Sequence, residues 1–207
     1  MNFVVLATTF VLVIPAELPD KTFISVMVLS SRHRALPVWI GSATALVLQA
    51  AIAVVAGRLL ALLPHTAVEA VIAALFMGGA AYLIFVPEKR EENEGELIVG
   101  ELDPPDSPPS PEAKPHLSNL RVALTTFSIV ALAEFGDITQ VLIANLTARY
   151  KDPVPVFVGA SLAFVLLAGV GVIGGRAIIR LIPLQTVRRI SGLALLGLGI
   201  YSIVQLF

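Results

Sequence analysis

Residues 16–22 read AELPDKT and residues 133–139 read AEFGDIT, and these two stretches decide how the chain is organised. Glu134 lies 117 residues after Glu17, and the aspartate and threonine of each stretch keep the same spacing. Further matches at nearly the same offset join PVWIG at 37–41 to PVFVG at 155–159, Gly57-Arg58 to Gly175-Arg176, and Gly78 and Tyr82 to Gly197 and Tyr201. A near-constant offset over several segments predicts an internal duplication.

The composition is that of a membrane protein. Of the 207 residues 57% are hydrophobic and 14% are charged, whereas a soluble domain usually carries about a quarter charged residues. A span needs roughly 20 apolar residues, and six apolar stretches have about that length or more: 2–29, 36–63, 67–86, 120–146, 154–179 and 187–206. Three spans in each half would invert the second half relative to the first. We therefore expect an all-α integral membrane fold of six transmembrane helices, arranged as two inverted three-helix repeats.

The predicted domains are a first repeat at 1–87, a linker at 88–117 and a second repeat at 118–207. Nine of the fifteen acids lie in the linker, which is also rich in proline and therefore unable to form a packed core. The other breaks are short, so neighbouring helices are expected to pack as antiparallel hairpins. The N-terminal stretch reads as a retained span and not as a signal peptide.

Charge predicts the orientation of the spans. Leaving Lys21 aside, ten Lys and Arg residues fall on the linker side of the predicted spans and three on the other side. The positive-inside rule then places the linker in the cytoplasm and both termini outside. We expect a multi-pass protein of the plasma membrane, in contact with the lipid bilayer. No basic tract suggests nucleic acid, no cysteine is present, and the oligomeric state is left open.

Four acids stand apart because they fall near the middle of apolar stretches: Glu17, Asp20, Glu134 and Asp137. Each costs on the order of 3 kcal/mol at the bilayer centre, so they are expected to share a polar interior. Residues three apart lie on one helix face, which pairs the acids within each motif.

Helix breaks are expected at these acids, because Pro19 removes a backbone donor and Gly136 permits unwinding, with Pro15 adding a second break. Thr22, Thr139 and Gln140 add neutral oxygen ligands, and Lys21 adds a positive charge. Oxygen-only donors suit Mn²⁺, Ca²⁺ or Mg²⁺.

The two motifs resemble the paired E-x-G-D-K-[ST] signatures of the Gdt-one family, also called uncharacterised protein family sixteen. Its members are six-helix calcium/manganese: proton exchangers within the lysine-exporter superfamily. The resemblance implies that six residues match the cation-binding positions: Glu17, Asp20, Thr22, Glu134, Asp137 and Thr139. Two departures are Pro19 in place of the usual glycine and Ile138 in place of the second lysine. They leave the proton stoichiometry and the metal preference open.

The resulting hypothesis is a secondary active transporter of divalent cations, Mn²⁺ or Ca²⁺ or both, working as a cation/proton antiporter that exports Mn²⁺. The transported ion is then a substrate, and no bound cofactor and no enzymatic activity are expected. Three alternatives stay open: an exporter of a small organic cation or amino acid, an intramembrane hydrolase using paired carboxylates, and a non-transporting scaffold. Gly171 and Gly175 form a G-x-x-x-G pattern, which predicts helix packing, within the monomer in preference to between subunits.

Overall fold

The computed structural model describes residues 2–17, 21–62, 64–85, 119–181 and 184–204, and these segments contain helices and no strands. The predicted linker at 88–117 lies outside them, so the domain boundaries stay a prediction. The helices are α1 (Phe3–Glu17), α2 (Lys21–Arg32), α3 (Ala35–Leu60), α4 (His65–Phe85), α5 (Asn119–Ala133), α6 (Ile138–Tyr150), α7 (Pro153–Leu181) and α8 (Leu184–Val204).

Two of these helices are long and apolar enough to cross a membrane by themselves. They are α3, over Ala35–Leu60, and α7, over Pro153–Gly174. A third span is possible if α5 and α6, which meet at an angle of 74°, count as one broken helix. The described residues therefore establish an all-helical protein with apolar, membrane-spanning helices, and the arrangement of six spans remains a prediction.

The expected helix breaks fall close to the acidic motifs. In the second half, α5 ends at Ala133 and α6 begins at Ile138, so the predicted interruption at Gly136 is confirmed. In the first half, α1 ends at Glu17 and α2 begins at Lys21, while Pro19 and Asp20 lie outside the described residues. The prediction of a further break at Pro15 is wrong, because α1 continues through it. A proline inside a helix removes one intrahelical hydrogen bond, and the remaining bonds keep α1 helical through Pro15 to Glu17.

The expectation that neighbouring helices pack as hairpins is also wrong in its main point. Among the described residues, the principal contacts join one half of the chain to the other: α1 with α7, α2 with α7, α3 with α5, α3 with α6, α3 with α7, and α4 with α8. Successive long helices, such as α3 and α4, make no comparable contact. The apolar faces of each half are thus buried mainly by the other half.

This packing repeats itself when the halves are exchanged. Replacing α1, α2 and α3 by α5, α6 and α7 turns the contact of α1 with α7 into that of α5 with α3, and α2 with α7 into α6 with α3. The pairs α3 with α7 and α4 with α8 each map onto themselves. The duplication in the sequence therefore has a counterpart in the packing.

A pair of glycines shows the same repetition at atomic detail. A Cβ atom added to Gly41 would lie 2.3 Å from the carbonyl oxygen of Ala123, and one added to Gly159 would lie 2.5 Å from that of Leu6. The Cβ atom of Thr126 lines the first crossing and that of Thr9 the second. Gly41 and Gly159 are equivalent in the duplication, so α3 against α5 and α7 against α1 approach through matching glycines.

Candidate cation site

Three of the four predicted intramembrane acids lie together. Glu17, Glu134 and Asp137 each offer a carboxylate oxygen, and these three oxygens lie within 4.8 Å of one another. Glu17 and Glu134 are 3% exposed, and Asp137 is half-buried. Glu17 ends α1, Glu134 follows α5, and Asp137 precedes α6, so the two broken regions bring the acids of both motifs to one place.

The helical course is interrupted between Glu134 and Asp137. The Glu134 amide still donates to the Val130 carbonyl at 3.0 Å, and the Asp137 amide donates to the Glu134 carbonyl at 3.2 Å. Gly136 between them has a φ of +84°, which only glycine adopts without strain. The turn thus depends on the glycine that the sequence placed between the acids.

Asp137 is held by the start of the next helix. It is the N-cap of α6, with extended backbone, and its Oδ2 accepts a hydrogen bond from the Thr139 amide at 3.2 Å. An aspartate at this position satisfies one of the free amides of the first helical turn and is favoured by the helix dipole. The capping leaves further lone pairs on the carboxylate for a cation.

Two threonines of the motifs flank the acids. The Thr22 hydroxyl, on α2, donates to Oε1 of Glu134 on the opposite motif. The Thr139 hydroxyl is buried, and its oxygen has no hydrogen-bond partner among the described residues. A buried hydroxyl without a partner is costly, so Thr139 is a suitable neutral oxygen donor beside the acids.

Gln140 is close to the turn but is engaged with protein groups. Its side-chain nitrogen donates to the Glu134 carbonyl at 3.0 Å and to the side-chain oxygen of Gln49. Its side-chain oxygen accepts from the Gly136 amide at 3.3 Å. Its predicted part as a ligand stays a prediction, and the structure gives it a second part in supporting the turn.

Gln49, on α3, was not among the residues predicted from sequence. It is 3% exposed, and its amide donates to the carbonyl of Ala131 at 2.8 Å. A signal was present, because Gln49 is the single amide residue in the apolar stretch 36–63. A lone buried amide within a span usually has a specific partner.

The remaining predicted residues are only partly visible. Lys21 begins α2, but its side chain lies outside the described atoms, as do Pro19 and Asp20 entirely. Ile138, which departs from the lysine of the resembled signature, is half-buried against the hydrophobic core. Its Cδ1 atom lies 3.0 Å from where a Cβ on Gly79 would be, so the side chain packs on α4.

Among the described residues, the cluster offers three carboxylates, and the motifs add the hydroxyl oxygens of Thr22, which is bonded to Glu134, and of Thr139, two residues after Asp137. Hard divalent cations prefer such ligands, and Mn²⁺, Ca²⁺ and Mg²⁺ all accept them. The arrangement can therefore hold a divalent cation, which would enter as a substrate.

A family comparison decides which proteins this chain is related to. The model of the divalent cation/proton antiporter GDT1 matches residues 5–91 and 122–207. The chain belongs to the GDT1 family. The resemblance seen in the two motifs is thereby confirmed, and each of the two matched segments includes one of the motifs.

Relatives of this chain are about a quarter identical to it over the aligned residues. GDT1-like protein 3 of Oryza sativa subsp. japonica is 28% identical over 205 residues, which are 92% of this chain and 70% of the relative. GDT1-like protein sll0615 of Synechocystis is 26% identical over 191 residues, or 88% of each chain. Protein PAM71, chloroplastic, of Arabidopsis thaliana is 25% identical over 217 residues, which are 97% of this chain and 56% of the relative. No solved structure matches the chain.

Gly136→Ala tests the turn itself. No atom lies within 4 Å of the added Cβ, so the cost comes from the left-handed backbone alone and is about 1–2 kcal/mol. We expect a lower unfolding temperature in detergent and weaker cation binding, since the turn sets the positions of Glu134 and Asp137. An unfolding temperature equal to that of the unaltered protein would contradict this account of the turn.

Proposed function

We propose that this GDT1 protein is a secondary active transporter that exchanges Mn²⁺ or Ca²⁺ for protons, with Mn²⁺ export as its physiological direction. The supporting observation is the cluster of Glu17, Glu134 and Asp137, whose carboxylate oxygens lie within 4.8 Å of one another. Membership of a family of divalent cation/proton antiporters supports the same exchange.

The cluster offers a simple reason for coupling cations to protons. Three ionised carboxylates confined together repel one another, and either a divalent cation or protons relieve the repulsion. Burial strengthens this competition, because little water is present to screen the charges. A cation leaving the site is then replaced by protons, and proton binding in turn expels the cation.

We further propose six spans in two inverted repeats, with α1–α2 and α5–α6 as broken spans. The support is the matching of contacts when the halves are exchanged, together with the two equivalent glycine crossings. Inverted repeats with broken helices at a central site are typical of transporters. In this scheme, α1 and α2 rock against α5 and α6, and this motion opens the site first to one side of the membrane and then to the other.

The proposed orientation has the linker in the cytoplasm and both termini outside, supported by the ten-to-three distribution of basic residues. The chain contains no cysteine, so single cysteines introduced at the loops can be labelled from either side of the membrane. Labelling of the linker from outside intact cells would overturn this orientation. The plasma membrane remains a proposed location for this protein, whereas the relative PAM71 is named as a chloroplast protein.

Purified protein in liposomes tests the function directly. With Mn²⁺ or Ca²⁺ added outside and a pH-sensitive dye inside, we expect cation entry to drive proton exit, and the apparent cation affinity to fall as the pH is lowered. Cation flux without proton movement would contradict antiport. Transport of an organic cation or amino acid, with competition by Mn²⁺, would favour the organic-solute exporter instead.

A further inference from the structure

The break between α5 and α6 leaves peptide groups without helical partners, and side-chain amides satisfy several of them. The Ala131 carbonyl accepts from Gln49 at 2.8 Å, and the Glu134 carbonyl accepts from Gln140 at 3.0 Å. The Gly136 amide donates to the side-chain oxygen of Gln140 at 3.3 Å. Within a membrane, such groups must find partners inside the protein.

The two amide side chains are also bonded to each other. The Gln140 nitrogen donates to the Gln49 oxygen, and Gln49 is buried on α3. Since α3 is one of the two long uninterrupted spans, the pair ties the broken segment to a rigid element. We call this pair, Gln49 with Gln140, the amide clamp.

The first motif has no such clamp at the equivalent places. Gln49 corresponds to Leu167 and Gln140 to Phe23 at the offsets of the duplication, and both are apolar and buried. The two motifs therefore have different supports, although their acids are spaced alike.

We propose that Gln49 is a positioning residue, which through Gln140 holds the turn bearing Glu134 and Asp137 in the geometry that binds the transported cation. Glu134 and Asp137 then form the fixed part of the site, anchored to α3. The inference rests on the proposed function, because its effect is measured on the cation. Groups that orient metal ligands typically change metal affinity by about 10- to 100-fold when removed.

Gln49→Leu introduces the residue type that stands at the equivalent position of the second half, Leu167. We expect about a tenfold rise in the KM for Mn²⁺ in liposomes, together with a changed ratio of Mn²⁺ to Ca²⁺ transport. Gln140→Leu should have a similar effect.

The double variant Gln49→Leu/Gln140→Leu should raise the KM little more than either single variant does, because the effects of residues that act as one unit are not additive. Ser42→Ala is the matched control: it removes a buried hydroxyl from the same helix, whose hydrogen bonds to described residues go to the backbone of its own helix, and it should keep the KM unchanged.

Three results would overturn the inference. The first is an unchanged KM in Gln49→Leu. The second is a fall in the maximal rate and in the unfolding temperature with no change in the KM, which is the effect of a purely structural residue. The third is multiplication of the two single effects in the double variant, which would make Gln140 a cation ligand independent of Gln49. If the unaltered protein moves no divalent cation, the proposed function fails instead, so the two failures are distinguishable.

Discussion

Glu134→Gln is expected to lower cation-driven proton exchange by about 100-fold or more, since removing one charge from a buried, paired set costs 2–5 kcal/mol. Glutamine has nearly the same shape and can still accept the hydrogen bond from Thr22. It carries no negative charge to bind a cation and no proton that can be released, so both cation transport and proton transport should fail. The readout is Mn²⁺ uptake into liposomes alongside internal pH.

Folding should survive this change, because an amide costs less to bury than a carboxylate. The unfolding temperature without cation should therefore be equal or higher, and its rise on adding Mn²⁺ should disappear. Asp152→Asn is the matched control, because it removes a carboxylate from the short connection between α6 and α7. It should leave transport and stabilisation intact. Full exchange by well-folded Glu134→Gln protein would exclude Glu134 from the site.

Gly41→Ala and Gly159→Ala are expected to cause a large loss of folded protein. The added Cβ would lie 2.3 Å or 2.5 Å from a backbone oxygen of the crossing helix. A backbone atom cannot turn aside as a side chain can, so α3 must separate from α5, or α7 from α1. Overpacking usually costs about 1–3 kcal/mol and sometimes more, which we expect to see as a low yield and a low unfolding temperature in detergent.

Gly78→Ala provides the matched control for a helical glycine. No atom lies within 4 Å of its added Cβ, and alanine favours a helix over glycine by about 1 kcal/mol. Its unfolding temperature should be unchanged or slightly raised. Equal stability of Gly41→Ala and Gly78→Ala would show that the close approach of α3 to α5 is absent.

The sequence was sufficient to predict the meeting of the acids, because burying charge in a membrane leaves few alternatives. Glu17, Glu134 and Asp137 each had to avoid lipid, and the duplicated spacing related one motif to the other. Gly136 similarly predicted the break between α5 and α6, because glycine permits a helix to unwind. A break at this depth is tolerated only where the freed backbone groups face protein or water, which is the setting that the acids also need. That these residues bind a cation stays a prediction until it is measured.

Which helices would pack together was not predictable in the same way. Short loops suggested hairpins, but apolar surfaces attract one another without direction, and the partner of α3 is set by small residues such as Gly41 that permit close approach. Pro15 was misread because the loss of one hydrogen bond need not interrupt a helix whose other bonds are kept. Gln49 was missed because its carbonyl partner, on Ala131, is 82 residues away along the chain.

The exchange of packing partners between the halves has a consequence for biosynthesis. Helices α1, α2, α3 and α4 leave the ribosome first, yet most of the surfaces that complement them belong to α5, α6, α7 and α8. Until the later helices are inserted, the buried Glu17 and Gln49 have neither the opposite motif nor its amide beside them. The early intermediate must therefore shelter these polar groups with water, lipid headgroups or an insertion factor, and the maturing protein becomes stable only when α5, α6, α7 and α8 have been inserted.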